Sequence, residues 1–212
     1  MNTMLQQRIR GIIKAIKRHG VLSYIQRLLH RIWQTIYKKQ VSTVFRRDLS
    51  EEVELLDAKI PVKVRVYESS DKKILYQFLS KFVREDLIDN TLEQGMIPML
   101  GFVNDKLIAL SWFTTDSVYL ESLDLTLKYG NNTGFIEGSR TDESVRGKSI
   151  APAIRTRICK HLREMGMRQV FVVAGDDNLA SQAVARKCLF KPYESIAMRR
   201  ILGFHSYHRK KY

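Results

Sequence analysis

The stretch from Thr141 to Ala151 constrains the fold most, because it has the pattern of a strand end, a tight basic turn and a helix start. Gly147 allows the backbone to approach a ligand closely, and small residues at 149 and 151 leave the N–H groups of a helix N-terminus uncovered. Arg146 and Lys148 add positive charge. The pattern favours a phosphate-binding turn, although an ordinary strand-to-helix turn with two solvated basic residues also fits these residues taken alone.

The segments that follow the turn predict a helix, a strand and a second helix. The first helix is indicated by apolar residues at helical spacing up to Gly166, namely Ile150, Ile154, Ile158 and Leu162. The apolar run 169–174 is long enough for one buried strand. Asn178 is the predicted N-cap of a helix that ends near 187–190.

Two motifs in this region resemble those of the GCN5-related N-acetyltransferase (GNAT) superfamily. Residues 146–151 are similar to its acyl-CoA pyrophosphate motif, Arg/Gln-x-x-Gly-x-Gly/Ala, with Ser149 where the family most often has glycine. The helix led by Asn178 resembles a second signature that ends in Lys-x-Gly-Phe, with Leu189 in place of glycine. Both occur in the family order, and with their flanking strands they cover 62–204, which makes the pair more specific than either motif alone.

The resemblance implies an α/β fold with a mixed, mainly antiparallel sheet and helices on both faces. It also implies an N-acyltransferase whose co-substrate is acetyl-CoA or another acyl-CoA, and no metal site. The acyl group is expected beside Thr141 and the pyrophosphate on the turn. The predicted cofactor-binding residues are Thr141, Arg146, Gly147, Lys148, Ser149, Ile150, Ala151, Asn178 and Ser181.

Glu137 is the predicted general base, because an amine must be neutral to attack a thioester and the family usually uses a carboxylate near this strand. Residues 137, 139 and 141 are expected on one face of the strand. A solvated or salt-bridged glutamate is the plainer alternative. Glu121 and Asp124 are further candidates for the base.

The acid that protonates the leaving thiolate is harder to assign. The family often has a tyrosine seven residues after the motif asparagine, and this chain has Ala185 there. Tyr193 is the nearest substitute, although the sequence favours a buried structural tyrosine at that position over an acid. The missing hydroxyl leaves open a second class of function, a catalytically inactive GNAT fold that serves as a binding module.

The region before the turn predicts further strands and two helices. A strand over 62–67 is expected to open the sheet, and helices are expected over 70–84 and 88–95. Strands over 96–103 and 106–115 are joined by Asn104-Asp105, which is a hairpin signal, and they are followed by strands over 119–129 and 135–141.

The formal net charge of +14 is concentrated at the N-terminus, where residues 1–47 hold eleven Lys or Arg and no Asp or Glu. Two apolar stripes at helical spacing predict basic amphipathic helices over 1–40, before a linker at 41–61 and the transferase domain at 62–212. Neither stripe holds an apolar run long enough to span a bilayer, and no signal-peptide pattern is present.

The amphipathic segment has three interpretations. The first interpretation places it on an anionic membrane. The second packs it on the domain or on a second copy in a homodimer. The third makes it a nucleic-acid-binding segment, which regularly spaced isoleucines favour least. Two cysteines without metal-like spacing favour a reducing, cytoplasmic compartment, with a peripheral position on the inner face of the membrane under the first interpretation. The acceptor is expected to be a small-molecule or lipid-linked amine, and a nucleic-acid-associated acetyltransferase is the remaining alternative.

Overall fold

The computed structural model describes residues 37–212. The amphipathic helices predicted over 1–40 therefore lie outside the described residues, except for the last four positions. The described residues fall into two compact units, of which the larger is Val41–Ile196 with Arg209–Tyr212 and the smaller is 37–40 with Ala197–His208. Within this part of the chain, no helix has the length and apolar character needed to cross a membrane.

The described chain alternates strands and helices in a mixed order. The strands are β1 (Tyr37–Asp48), β2 (Lys63–Val66), β3 (Ile97–Val103), β4 (Lys106–Thr114), β5 (Val118–Leu120), β6 (Leu125–Leu127), β7 (Thr133–Thr141), β8 (Gln169–Gly175), β9 (Lys191–Ile201) and β10 (Phe204–Lys211). The helices are α1 (Lys72–Leu79), α2 (Glu85–Glu93), α3 (Ile150–Glu164) and α4 (Leu179–Lys187).

Eight of these strands form one sheet in the order β10-β9-β1-β8-β7-β4-β3-β2, and β5 pairs with β6 separately. The β7–β8 pair is parallel, whereas β1–β8, β2–β3, β3–β4 and β4–β7 are antiparallel. The parallel pair is the one connected by a helix, α3, because a parallel connection needs a crossover. The predicted mixed, mainly antiparallel sheet is confirmed.

Helices cover both faces of this sheet. Side chains of consecutive strand residues point to opposite sides, so each face presents apolar side chains for a helix to cover. On one face Ile154 and Ile158 of α3 pack in a core cluster with Phe113 of β4. On the other face α1 and α2 pack in a second cluster that includes Leu100 and Trp112. The predicted placement of helices on both faces of the sheet is therefore confirmed.

The first part of the predicted 41–61 linker is instead a strand of the main sheet. β1 pairs with β8 from Ser42↔Gly175 to Asp48↔Gln169, and its Val44 and Phe45 side chains are fully buried. The basic residues near its end and the acidic run after it gave the sequence the character of a connecting segment. Its strand conformation depends on a partner more than 120 residues away, which local patterning does not show.

The segment after β1 packs along α3 and reaches the basic turn. The Leu56 N–H donates to Thr156 Oγ1 (3.1 Å), and the Arg157 guanidinium donates to the Leu56 carbonyl (3.1 Å). The Lys59 N–H then donates to the Lys148 carbonyl (2.8 Å). This segment therefore fixes one side of the turn that the sequence assigns to phosphate binding.

Two further boundaries differ from the prediction. The single strand expected over 119–129 is a small hairpin of β5 and β6, because Asp124 takes a positive φ of 50° and reverses the chain. The helix expected over 70–84 is shorter, and a 3-10 turn at Ser69–Asp71 leads into α1. The helix expected over 88–95 begins slightly earlier, as α2.

Candidate active site

A wedge opens in the sheet between β7 and β8. Their parallel pairing runs from Thr133↔Gln169 to Ile136↔Val172. Beyond that point each strand stays paired only on its other side, β7 with β4 as far as Ala109↔Thr141 and β8 with β1 as far as Ser42↔Gly175. The backbone groups that face the wedge are therefore available to an extended ligand, which can pair with them as an added strand would.

A β-bulge lies in the wedge wall formed by β7. The register passes from Leu110↔Arg140 to Trp112↔Glu137, so two β7 residues oppose one residue of β4. Gly138 takes a φ of +59° there, and a Cβ at this position would lie 2.8 Å from Cδ1 of Trp112. The bulge therefore requires glycine, and the tight contact with Trp112 fixes its shape.

This bulge corrects the predicted arrangement of residues 137, 139 and 141 on one face. Glu137 pairs opposite Trp112, on the face of α1 and α2, whereas Thr141 pairs opposite Ala109, which belongs to the α3 cluster. One inserted residue turns all later side chains of a strand to the other face. Arg140, not Thr141, therefore shares the face of Glu137.

The surroundings of Glu137 suit a general base. Burial raises the pKa of this carboxyl to about 7, with a smaller upward contribution from Glu121 and an opposing downward one from Arg140. A base whose pKa is near the working pH combines a useful deprotonated fraction with adequate basicity. Glu121 thus acts electrostatically on Glu137, while the carboxylate of the other candidate, Asp124, accepts a hydrogen bond from the Tyr119 hydroxyl (2.6 Å).

β7 leads directly into the basic turn. Asp142 accepts the Ser144 N–H (3.0 Å) and caps a short 3-10 turn, Glu143–Val145. Gly147 follows with a φ of 76°, and a Cβ there would meet no atom within 4 Å. The space over Gly147 is therefore open for a ligand to approach the backbone.

The turn ends at the N-terminus of α3, where the first N–H groups of a helix have no intrahelical partners. Ser149 is the N-cap residue, in the left-handed region with a φ of 59°, and it makes no side-chain cap hydrogen bond. Ile150 and Ala151 begin the helix, and Pro152 has no N–H to leave exposed. These exposed donors and the positive end of the helix dipole favour an anion.

Lys187 is a residue of this site that the sequence analysis did not assign to it. Its Nζ donates to Ser149 Oγ (3.0 Å), so the end of α4 adds a cation to the turn. Arg146 is exposed and pairs with Glu143 (3.2 Å). The signal was present in the sequence, because Lys187 opens the Lys-x-Gly-Phe-like end of the second motif, but only the folded chain brings it to Ser149.

Asn178 caps α4, since its Oδ1 accepts the Ser181 N–H (3.0 Å). This contact shows a structural role for both residues, and their predicted role in cofactor binding stays a prediction. At the other end of α4, the Phe190 N–H donates to the Ala185 carbonyl (3.0 Å) around Leu189, which has a φ of 62°. The helix thus ends in the left-handed conformation that usually takes glycine.

Tyr193 lies in an aromatic cluster at the closed end of the wedge. Its ring contacts Tyr129 and Phe171 edge-on, with centroids 5.6 Å and 5.5 Å away, and Arg46 lies 5.0 Å above it. Phe171 belongs to the part of β8 that is still paired with β7. The structure gives Tyr193 a packing role, and its role as an acid stays a prediction.

Neither cysteine has the surroundings of a nucleophile. Cys159 and Cys188 are free and fully buried. Burial raises the pKa of the Cys159 thiol to about 12 and also raises that of Cys188. Because the thiolate is the reactive form, both groups are inert at neutral pH.

The family comparison matches residues 64–190, more than half of the chain, to the acetyltransferase (GNAT) family. Comparison with curated protein sequences finds none that matches. A GCN5-related N-acetyltransferase from Sphaerobacter thermophilus is structurally similar, with a TM-score of 0.58, 12% identity, and coverage of 89% of this chain and 56% of that one.

Two other solved structures have comparable similarity. A GNAT-family acetyltransferase from Colwellia psychrerythraea gives a TM-score of 0.54 at 16% identity, covering 78% of this chain and 55% of that one. A glucosamine N-acetyltransferase region of a fungal multi-domain β-N-acetylglucosaminidase gives 0.57 at 16%, covering 85% and 23%. This chain thus spans about half or less of the length of these proteins, and identities this low show the fold alone. The matched family and the shared fold together show that the chain belongs to the GNAT acetyltransferase family, which supports acyl transfer from acyl-CoA in general.

Proposed function

We propose that this chain transfers an acyl group from acetyl-CoA or a longer acyl-CoA to an amine, with Glu137 as the general base. The observation that carries the proposal is the wedge between β7 and β8, which opens beside Glu137 and leads along β7 into the basic turn. A binding cleft, a base and an anion-binding helix end thus lie along one strand and its continuation.

The turn fits a pyrophosphate by two features of its own. The open space over Gly147 allows phosphate oxygens to reach the backbone, and the N–H groups of Ser149, Ile150 and Ala151 are available as donors. Lys148 and Lys187 supply positive charge beside them. The unpaired edges of β7 and β8 then accept the extended, amide-containing part of the same ligand as an added strand.

Glu137 removes a proton from the acceptor amine, directly or through one water, because only a neutral amine attacks the thioester carbon. A backbone N–H on the wedge side of β7 stabilises the oxyanion that forms. The pair of electrons leaves with the thiolate sulfur, which is a tolerable leaving group. The fully buried Ala185 supplies no hydroxyl for that step, so the thiolate takes its proton from Tyr193 or from solvent.

The acceptor proposed here is a small-molecule or lipid-linked amine. The fungal region with a similar fold is a glucosamine N-acetyltransferase, which makes amino sugars the first class to test. Residues 1–40, with their apolar stripes and basic side chains, are proposed to hold the enzyme at an anionic membrane. An enzyme at such a surface meets lipid-linked amino sugars more often than freely diffusing ones.

The direct test is calorimetry with acetyl-CoA and longer acyl-CoAs, followed by turnover assays over an amine panel that includes glucosamine. Gly147→Glu should abolish acyl-CoA binding, because it places a carboxylate where the pyrophosphate is expected. Gly166→Glu is a matched control, since Gly166 also has a positive φ (86°) and open space around its Cβ position, at the far end of α3. It should bind normally.

Two outcomes contradict the proposal. If no acyl-CoA binds the wild-type chain, the cleft serves another ligand. If acyl-CoA binds but no amine of the panel is acylated, the chain is a binding module with the GNAT fold.

A further inference from the structure

The hairpin of β9 and β10 ends in an unusual tip. Its two-residue turn is Leu202-Gly203, with φ values of 51° and 86°. Two-residue hairpins with positive φ at both positions normally use Asn-Gly or Gly-Gly, because a bulky side chain is strained in the left-handed region. A leucine at this position is therefore under conformational strain.

The tip also exposes three large apolar side chains within four residues. Phe204 is 83% exposed, Leu202 69% and Ile201 50%. Single exposed apolar residues are common on protein surfaces, whereas a contiguous group at the end of a hairpin marks a surface that contacts a partner. Next to the turn, the Ser206 hydroxyl donates to the Arg199 carbonyl (3.4 Å).

The residues that flank the tip are basic. From Ser195 to Tyr212 the chain has five Lys or Arg, namely Arg199, Arg200, Arg209, Lys210 and Lys211, and no Asp or Glu. Arg209 pairs with the buried Glu194 (2.5 Å), so the cations next to the tip are Arg199 and Arg200. All twenty-two acidic residues lie between Asp48 and Glu194, a stretch with only twenty Lys or Arg. The body of the enzyme is thus close to neutral, and the C-terminal hairpin adds a basic region separate from the N-terminal one.

We propose that the Ile201–Phe204 tip inserts into the interface of an anionic lipid bilayer, while Arg199 and Arg200 beside it bind lipid headgroups. Apolar side chains at the tip match the acyl-chain side of such an interface, and the basic side chains next to the tip match its anionic headgroups. A nucleic acid would use the cations but would not account for three exposed apolar side chains at the tip. The site is independent of acyl transfer.

The test is binding of the full chain to vesicles of phosphatidylcholine with and without phosphatidylglycerol. Leu202→Asn combined with Phe204→Ser should weaken binding to the anionic vesicles at least about tenfold, because two inserted side chains are lost. Misfolding of the turn is not the expected cause of this loss, since asparagine suits the left-handed turn position better than leucine.

Leu189→Asn is the matched control. Leu189 is also a leucine at positive φ (62°) and 63% exposed, but it lies at the end of α4. Its substitution should leave vesicle binding unchanged. In a separate variant, Phe204→Trp, the added tryptophan fluorescence should shift to the blue on addition of anionic vesicles, after subtraction of the signal of the unmodified chain.

The outcomes separate the possible partners. Vesicle binding that is unchanged in the Leu202/Phe204 variant, or no blue shift in the Phe204→Trp variant, overturns the proposal. Loss of a dimer in the Leu202/Phe204 variant shows that the tip contacts a second copy instead. Binding to a DNA or RNA duplex that exceeds vesicle binding and survives the double substitution assigns the basic residues to nucleic acid.

Discussion

At the scale of single residues, the proposed acyl transfer depends on the environment of Glu137. Its carboxyl is kept partly protonated at neutral pH by burial, so the fraction that acts as a base grows as the pH rises through about 7. We expect kcat/KM to increase with pH across this range and then to level off. Glu137→Gln should lower kcat by roughly a hundredfold to ten-thousandfold while acyl-CoA affinity is retained. Stopped assays over a range of buffers would show both effects.

The charges of Glu121 and Arg140 shift the pKa of Glu137 in opposite directions, so substituting each one gives a control for this prediction. Glu121→Gln removes a negative charge that raises the pKa of Glu137, so the inflection should move to lower pH. Arg140→Gln removes a positive charge that lowers it, so the inflection should move to higher pH. An inflection that stays in place in both variants would mean that another group titrates.

The same pKa shift links Glu137 to stability. Its carboxyl has an ordinary pKa of 4.5 and a native value of about 7, so between these values the native state binds more protons than the unfolded state. Stability from this group is therefore present at low pH and is lost as pH rises through about 7. The Glu137→Gln variant should gain stability relative to the unmodified chain at pH 8 and not at pH 4, as measured by urea unfolding.

Leu189 and Ser149 explain why the family motifs prefer glycine where this chain departs from them. Both residues have positive φ, of 62° and 59°. Leu189→Gly should stabilise the protein by about 1 kcal/mol, because it removes left-handed strain at a helix end. Leu179→Gly is the contrasting control. Leu179 is also exposed but lies in the first turn of α4, so glycine there should destabilise by about 1 kcal/mol. Urea unfolding measures both changes. If the two substitutions change the free energy of unfolding equally, left-handed strain at Leu189 is excluded as the cause.

At the scale of secondary-structure elements, the bulge in β7 decides which residues face the α1 and α2 side. Gly138→Ala adds left-handed strain and a clash with the buried Trp112. We expect a loss of about 2 kcal/mol or more in the free energy of unfolding, together with reduced activity, because the bulge positions Glu137. Gly130→Ala has a comparable positive φ (97°) and open space, so it should show only the smaller cost of strain. Similar losses in the two variants would exclude the clash.

The elements differ in how far the sequence could predict them. β3, β4, β7, β8 and α3 were predicted close to their actual bounds, because each has a strong local pattern and is ended by turn residues. The bulge was missed because it depends on the register against β4, and β1 was missed because its partner is β8. The basic turn could be located from local residues, whereas Lys187 joins it only through tertiary contact.

At the scale of the whole molecule, the charge is divided between a nearly neutral body and two basic termini. Residues 1–47 carry eleven Lys or Arg without an acid, and residues 195–212 carry five. The proposed acyl-CoA binding at the turn would use a few local donors, whereas attachment to an anionic surface would sum over many cations. The two activities should therefore respond differently to salt, because screening weakens interactions between exposed charges most.

We expect vesicle binding by the full chain to fall by roughly tenfold or more when salt is raised from about 0.05 M to about 0.5 M, while acyl-CoA affinity falls much less. Replacing Ile25, Leu29 and Trp33 together by serine should weaken vesicle binding further, since apolar insertion survives screening.

The two basic termini can be separated by combining this variant with the Leu202/Phe204 variant. If both contact the same bilayer at once, each substitution should cost less in the intact chain than after the other contact is lost, because the remaining contact still holds the chain at the surface. If vesicle binding survives all five substitutions, the attachment is purely electrostatic, and a polyanion such as nucleic acid becomes the better partner.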